Sequence, residues 1–364
     1  MTEPPTPVSR QRTSDAVDNT VSDAASDAQQ GARRQAEDEH ARPAVIAAPA
    51  WAARGLSEMV EAGAVDGNVA HVVVGDGPVD PARGRGVQVL WRYHLTPEQL
   101  GHVVDELPDL RWVHSDYVGV EELPLEKLAE RGILLSNGAG IAARPMAEWV
   151  VLAILSAAKA LPRFVRQSDA GVWEVGEPLA ELEGAVVLLL GLGAVGTHTA
   201  AMLEPFGAEV RACTRRPRAQ TPRGVSRMVV GEGWREELAD ADYVVCALPL
   251  TSETTNMLDA DVFGAMKRGA YLVNVARGGL IDDDALVHAL ESGRLGGAAL
   301  DAFRQEPVPE GHPLWGRPDI LALPHVTWSS THTLDDFKWR FAAQLRTWLS
   351  GGTPADLVDL DAGY

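Results

Sequence analysis

The chain has 364 residues, enough for two domains of ordinary size, and 46% of them are hydrophobic, enough to fill substantial cores. Its formal net charge of −19, with no basic run of any length, argues against a nucleic-acid partner. No apolar stretch approaches the roughly 18 residues of a membrane span, and the first residues lack the apolar core of a secretory leader.

Residues 1–43 contain no Leu, Ile or aromatic residue. Such a segment cannot offset its ordering entropy by burial, so a disordered tail is expected. From Ala44, five short strand candidates (44–47, 69–74, 87–91, 111–114 and 133–135) alternate with helix-like segments such as 97–106 and 124–131. Pro97 and Pro124 stand where a first-turn proline is tolerated. Strand–helix alternation means an open, mainly parallel sheet. Residues 145–165 read as one long helix, ended or broken near Pro162. Met146, Trp149, Val150, Val151, Leu152, Ile154 and Leu155 make it apolar on nearly every side, so burial is expected, either between domains or between subunits.

A second set of strands is expected at 185–190, 209–214, 243–247, 270–274, 298–300 and 320–323. Helices separate them, including 282–292, where Asp282 is the N-cap and Gly293 the C′ residue. Six strands with crossovers fit a Rossmann-type sheet. Cys213 and Cys246 lie far apart in its apolar runs and read as small buried hydrophobes, not as a disulfide or a metal site. A reducing, cytoplasmic setting follows as the default. After His325 a helix at 334–349, stopped by Gly351-Gly352, is expected to return to the first domain. The expected fold is α/β, with two Rossmann/flavodoxin-like parallel-sheet domains. A dinucleotide domain, 145–324, is inserted into a substrate domain formed by 44–144 and 325–364.

Gly191-Leu192-Gly193-Ala194-Val195-Gly196 follows the first strand of the second set and opens a helix. That context makes G-x-G-x-x-G a dinucleotide site. Gly191 serves a tight turn, Gly193 a close approach to pyrophosphate, and Gly196 close helix–strand packing, while the helix start offers its N–H groups to the phosphates. The next strand would normally end in an acid that binds the adenosine ribose; here it ends in Thr214, followed by Arg215 and Arg216. A hydroxyl and two guanidiniums suit a 2′-phosphate, so NADP(H) is favoured over NAD(H). Arg277, Glu306 and His325 each follow a later strand. Singly they read as a surface cation, a loop acid and a strand-end histidine. Together, at the carboxyl edge where ligands bind, they fit hydride-transfer chemistry.

At these residues the chain resembles the D-isomer-specific 2-hydroxyacid dehydrogenase family, in its glyoxylate/hydroxypyruvate reductase-like branch. The likeness runs through 110–120, 137–148, 191–196, 249–254, 266–270, 274–280, 301–307, 312–314, Pro324-His325 and 358–364. It implies that Arg277 binds the substrate carboxylate and keto oxygen, and that His325 is the acid/base, oriented by Glu306 and moved by that carboxylate toward a useful pKa. Asp301 would hold the nicotinamide carboxamide. Leu248, Pro249, Thr254, Val275 and Ala276 would complete the cofactor wall with Ala194 and Val195. The backbone of Val118 and Gly119 would take the substrate carboxylate.

The implied activity is reduction of a small 2-keto acid to the D-2-hydroxy acid by a homodimer. Thr214 departs from the family's common Asp. Trp328 departs from the small residues often found after the histidine, and either caps the pocket or packs the hinge. An alternative is a non-catalytic dinucleotide sensor of the corepressor kind, against which the complete Arg277, Glu306, His325 set argues. Formate oxidation fits poorly, because that branch generally carries Gln at the position of Glu306.

Overall fold

The computed structural model describes residues 44–66, 69–75 and 77–363, so the tail expected at 1–43 lies outside the described residues. Five strands form the first sheet: β1 (Ala44–Pro49), β2 (Val69–Val74), β3 (Val87–Trp91), β4 (Trp112–His114) and β5 (Leu134–Ser136). All pair in parallel, in the order β2-β1-β3-β4-β5. The second sheet holds β6 (Val186–Leu190), β7 (Glu209–Thr214), β8 (Arg227–Val230), β9 (Tyr243–Cys246), β10 (Ala270–Asn274), β11 (Leu295–Leu300) and β12 (Ile320–Ala322). Its order is β12-β11-β10-β9-β6-β7-β8, again all parallel. Chain order reverses between β6 and β9, which opens a crevice at their carboxyl ends.

Seven strands stand where six were expected. The extra one, β8, is an edge strand with only Val229 buried, so it lacks the apolar run that marks a central parallel strand. In β6, by contrast, Val187 and Leu189 join one core layer while Leu188 and Leu190 join the other. The side-chain period of two thus fills both faces of the sheet.

The long helix expected at 145–165 is two helices, Ala143–Ala158 and Leu161–Asp169. The break falls at Lys159-Ala160, where Ala160 adopts φ +48°, and Pro162 sits in the first turn of the second helix. The proline starts a helix here; it does not end one. Val150, Ala153 and Ile154 of the first helix pack on Val187, Leu189 and Val210 of the second sheet, but Leu152 is exposed. Burial all round is therefore not reached within one chain.

The last helix, Thr333–Leu349, returns to the first sheet, with Phe341, Ala342 and Leu345 packed among Ile46, Met59, Trp91 and Trp112. Beyond it the Val358 N–H donates to the Leu135 carbonyl at 2.8 Å, covering the exposed edge of β5. Among the described residues no helix is long and apolar enough to cross a membrane. Cys213 and Cys246 are free and buried, and burial pushes both thiols up to about 12.

Candidate active site

The carboxyl ends of β3, β4, β6, β9, β10 and β11 face a single cavity of about 960 Å³ between the sheets. The glycine loop forms part of its wall. Gly191 adopts φ +106°, and a Cβ there would lie 2.5 Å from the Ala247 carbonyl oxygen. A Cβ on Gly196 would strike the Gly191 carbonyl. Both positions require glycine for packing. Gly193 differs: nothing lies within 4 Å of its missing side chain, which leaves the backbone open to the cavity. The helix Ala194–Leu203 begins there without a side-chain cap, so its first N–H groups face the same space. These features fit a dinucleotide phosphate. At the end of β7 the Thr214 hydroxyl is buried without a partner, and Arg215 and Arg216 are exposed beside it. Arg218 reaches back to donate to the Leu192 carbonyl in the loop.

Arg277 follows β10. Asn274 fixes this turn: its amide Nδ2 donates to the Arg277 carbonyl at 2.9 Å, and its Oδ1 accepts from the Ala276 N–H at 3.1 Å. The guanidinium crosses the cleft. Nε donates to Glu121, and Nη1 to the Ala276 carbonyl at 2.8 Å. A Cβ on Gly119 would collide with Nη2, so the arginine lies against the backbone of the loop after β4. That loop is locked by Asn137, whose Nδ2 donates to the Val118 carbonyl at 2.9 Å. Burial would raise the Glu121 carboxyl, but the Arg277 charge and hydrogen bonds from its own and the Val120 backbone outweigh this and hold it low.

His325 follows β12 and adopts φ +52°, a conformation that costs a non-glycine residue roughly 1–3 kcal/mol and persists only where its surroundings impose it. Asp301 imposes it. Its carbonyl accepts from the His325 N–H at 2.9 Å, and its carboxylate accepts from Val326 N–H at 2.7 Å and from the Thr327 hydroxyl at 2.5 Å. The Trp328 indole N–H closes the turn on the His325 carbonyl at 2.9 Å. The ring is then set by Glu306. Oε1 accepts from Phe303 N–H at 2.8 Å, and Oε2 lies 2.8 Å from His325 Nδ1. A carboxylate only accepts, so Nδ1 donates, and Nε2 remains for chemistry in the cavity.

Gly193, Ala194, Val195, Leu248, Pro249, Val275, Ala276, Arg277, Glu306, His325, Val118, Gly119 and Trp328 all line this cavity. Gly191, Gly196, Thr214, Arg215, Arg216, Thr254 and Asp301 were also expected at the cofactor but do not line it. The Thr254 hydroxyl donates to the Pro249 carbonyl at 2.8 Å and shapes its own turn, and the Asp301 carboxylate is occupied by the turn after His325. Trp328 stands on the wall itself. Arg92 and Glu121 also line the cavity and carried no motif that singled them out. The only local hint was a charge two residues beyond Gly119.

A glycine loop at a Rossmann switch point, facing a histidine–carboxylate pair and an arginine, defines a dinucleotide-dependent oxidoreductase. Residues 151–327 match the family described as D-isomer specific 2-hydroxyacid dehydrogenase, NAD binding domain. A glyoxylate reductase of Thermofilum pendens is 30% identical over 73% of this chain and 79% of its own length. A glyoxylate/hydroxypyruvate reductase of Arabidopsis thaliana is 34% identical over 62% of this chain and 70% of its own. The solved D-isomer specific 2-hydroxyacid dehydrogenase of Xanthobacter autotrophicus, in complex with NADPH and MES, superposes with a TM-score of 0.74 at 28% identity, covering 89% of this chain and 100% of that one. The chain belongs to the D-isomer specific 2-hydroxyacid dehydrogenases, which are NAD(P)-dependent oxidoreductases. The sensor alternative is not favoured by these relatives.

Proposed function

We propose that the protein reduces a small 2-keto acid of the glyoxylate or hydroxypyruvate kind to the D-2-hydroxy acid, with NADPH preferred over NADH. The observation that carries the reading is the His325–Glu306 pair at 2.8 Å, on the same cavity as Arg277 and the Gly193 backbone. Arg277 and the Val118-Gly119 backbone hold the carboxylate and keto oxygen by charge-assisted hydrogen bonds. The bound nicotinamide supplies the hydride. His325 Nε2 delivers the proton to the developing alkoxide, and Glu306 keeps the imidazole in the tautomer and orientation that allow it. Asp301 holds the His325 turn.

The cofactor preference rests on the exposed Arg215 and Arg216 after β7 and on Thr214 in place of an acid there, an arrangement that suits a 2′-phosphate and offers a ribose no carboxylate. The Xanthobacter relative holds NADPH. Assembly as a homodimer is supported by Leu152, Leu161, Val165, Val172 and Trp173, which expose apolar surface along the helix pair 143–169 and the segment after it, Trp173 to 97%. Light scattering at micromolar concentration tests it; a monomer refutes it.

The reaction is tested by following NADPH and NADH oxidation with glyoxylate, hydroxypyruvate and longer 2-keto acids. Turnover with NADPH above NADH is expected. No oxidation with any acid refutes the reaction, and a clear NADH preference refutes the reading of Thr214, Arg215 and Arg216.

A further inference from the structure

The substrate-domain wall carries a cation that these roles leave unused. Arg92 follows β3 and lines the same cavity as Gly119, Arg277 and His325. It is only 7% exposed. Its Nε donates to the Leu95 carbonyl and its Nη1 to the Ser115 hydroxyl, each at 2.9 Å. Among the described residues no carboxylate forms an ion pair with it.

Its direct hydrogen-bond partners are neutral. The Tyr117 ring lies 5.6 Å from the guanidinium carbon, and the Tyr117 hydroxyl meets His94 Nδ1. Burial, and then the charge of Arg92 itself, lower the His94 pKa, so His94 adds no second cation near neutral pH. Asp116 acts at longer range with a carboxyl that burial pushes up to about 7 against the Trp91 hydrogen bonds. Glu122, on the cavity wall, also acts at longer range. A guanidinium nine-tenths buried with only neutral groups in hydrogen-bond contact is costly; burial lowers its pKa, and the longer-range charges of Tyr117, Asp116 and Glu122 offset only part of that. An anion arriving through the cavity would offset that cost. Two edges of the guanidinium are tied to Leu95 and Ser115; the Nη2 side remains, and it suits the planar, two-oxygen face of a carboxylate.

We propose that Arg92 is a second anion-binding point of the substrate pocket, and that the 2-keto acids turned over best carry a second carboxylate at the far end of a short chain. The inference rests on the reductase reading and ranks substrates within it. Gly119, Val118, Tyr117 and Arg92 line one cavity, so with the first carboxylate at Gly119 and Arg277 a substituent running back along this loop heads towards Arg92. A four- or five-carbon dicarboxylate is the shortest keto acid that carries a second anion in that direction. Hydroxypyruvate offers Arg92 a hydroxyl, and glyoxylate offers it nothing. The expected order is therefore keto dicarboxylates, then hydroxypyruvate, then glyoxylate.

The test pairs acids of equal length: oxaloacetate with 2-ketobutyrate, and 2-ketoglutarate with 2-ketovalerate, each scored as kcat/KM with NADPH. The wild type is expected to favour the dicarboxylate of each pair by about tenfold or more, the yield of a charge-assisted bond to a buried group. In Arg92→Met the ratio should fall to about one, whatever the overall rate, because each ratio is taken within one protein. Arg92→Lys, which keeps the charge and loses the fork, should fall between, and it stands in if Arg92→Met does not fold. A wild-type ratio of one or less, or a ratio unchanged in both variants, overturns the proposal. Turnover of glyoxylate or hydroxypyruvate without the dicarboxylate preference overturns it alone. Failure to oxidise NADPH with any keto acid removes the reductase reading and this inference with it.

Discussion

On the cofactor side of the cleft, Arg277, Glu306 and His325 each follow the end of a strand, and the backbone turns and the ring that position them are held by hydrogen bonds spanning at most 26 residues of chain. Asn274 fixes the Arg277 turn from three residues away, and Phe303 anchors Glu306 over the same distance. On the substrate side, Arg92 after β3, the loop after β4, Asn137 after β5 and the stretch Asp356-Leu357-Val358 near the C-terminus converge from four parts of the chain. The first wall is set by strand ends and hydrogen bonds within one sheet, and in the proposed reaction it carries the chemistry. The second is set by long-range contacts, and it is free to carry the choice of substrate. The contact that joins them, Arg277 with Glu121, spans 156 residues.

The sharpest way to break this division is at His325. If the chemistry belongs to the cofactor wall, His325→Ala should lower kcat by about 10²–10⁴, the usual worth of a positioned acid/base, with NADPH binding retained in a fluorescence titration. Glu306→Gln should cost less, since the amide can still accept from Phe303 and contact the ring. A His325→Ala enzyme within a factor of two of wild type would move the proton donor off this wall.

Gly119 probes the junction of the walls. A methyl group there strikes the mobile end of Arg277 and no backbone, so the fold should tolerate it. Gly119→Ala is expected to displace the guanidinium and lower kcat/KM by about 10²-fold, chiefly through KM, because a shift of about 1 Å in a positioning group costs that much. Thermal unfolding should move little. An unchanged KM would mean that the arginine does not rest on this loop during substrate binding.

The same division explains what could be read from the sequence. β2, β3, β7 and β10 lie at the residues where apolar patterning placed them, and the cap at Asp282 accepts from the Ala285 N–H as its spacing required. These are local signals. β8 escaped notice because an edge strand with one buried residue has no apolar run, and the helix break at Ala160 because a left-handed alanine leaves no mark in composition. Arg277, Glu306 and His325 were legible because each follows a strand inside a motif. Arg92 and Glu121 were not, because what makes them part of the site is a partner or a cavity far along the chain.

The effect furthest from turnover lies behind the substrate wall, in a buried pair. Burial lowers His114 to about 3 and raises Asp116 to about 7, and His114 Nε2 stands 3.8 Å from Asp116 Oδ1 without a hydrogen-bond partner. The two groups pull stability in opposite directions. From 3.8, the value of a free carboxyl, up to about 7 the unfolded Asp116 has lost its proton and the folded one keeps it, so stability falls as pH rises. Between 6.5 and about 3 the unfolded His114 gains a proton that the folded one refuses, so stability falls as pH drops. Over the shared window, about pH 4 to 6.5, the slopes oppose each other. Asp116→Asn removes one of them and keeps a neutral side chain of the same shape beside Trp91. Relative to wild type, the variant should gain stability between about pH 4 and 7, by at most ~1.4 kcal/mol per pH unit, and hold the gain above that. Urea unfolding of both proteins at pH 5, 6, 7 and 8 measures this difference directly. A difference that stays constant across those values would mean that Asp116 is ionised throughout, and the wall behind Tyr117 would then carry a fixed negative charge facing Arg92.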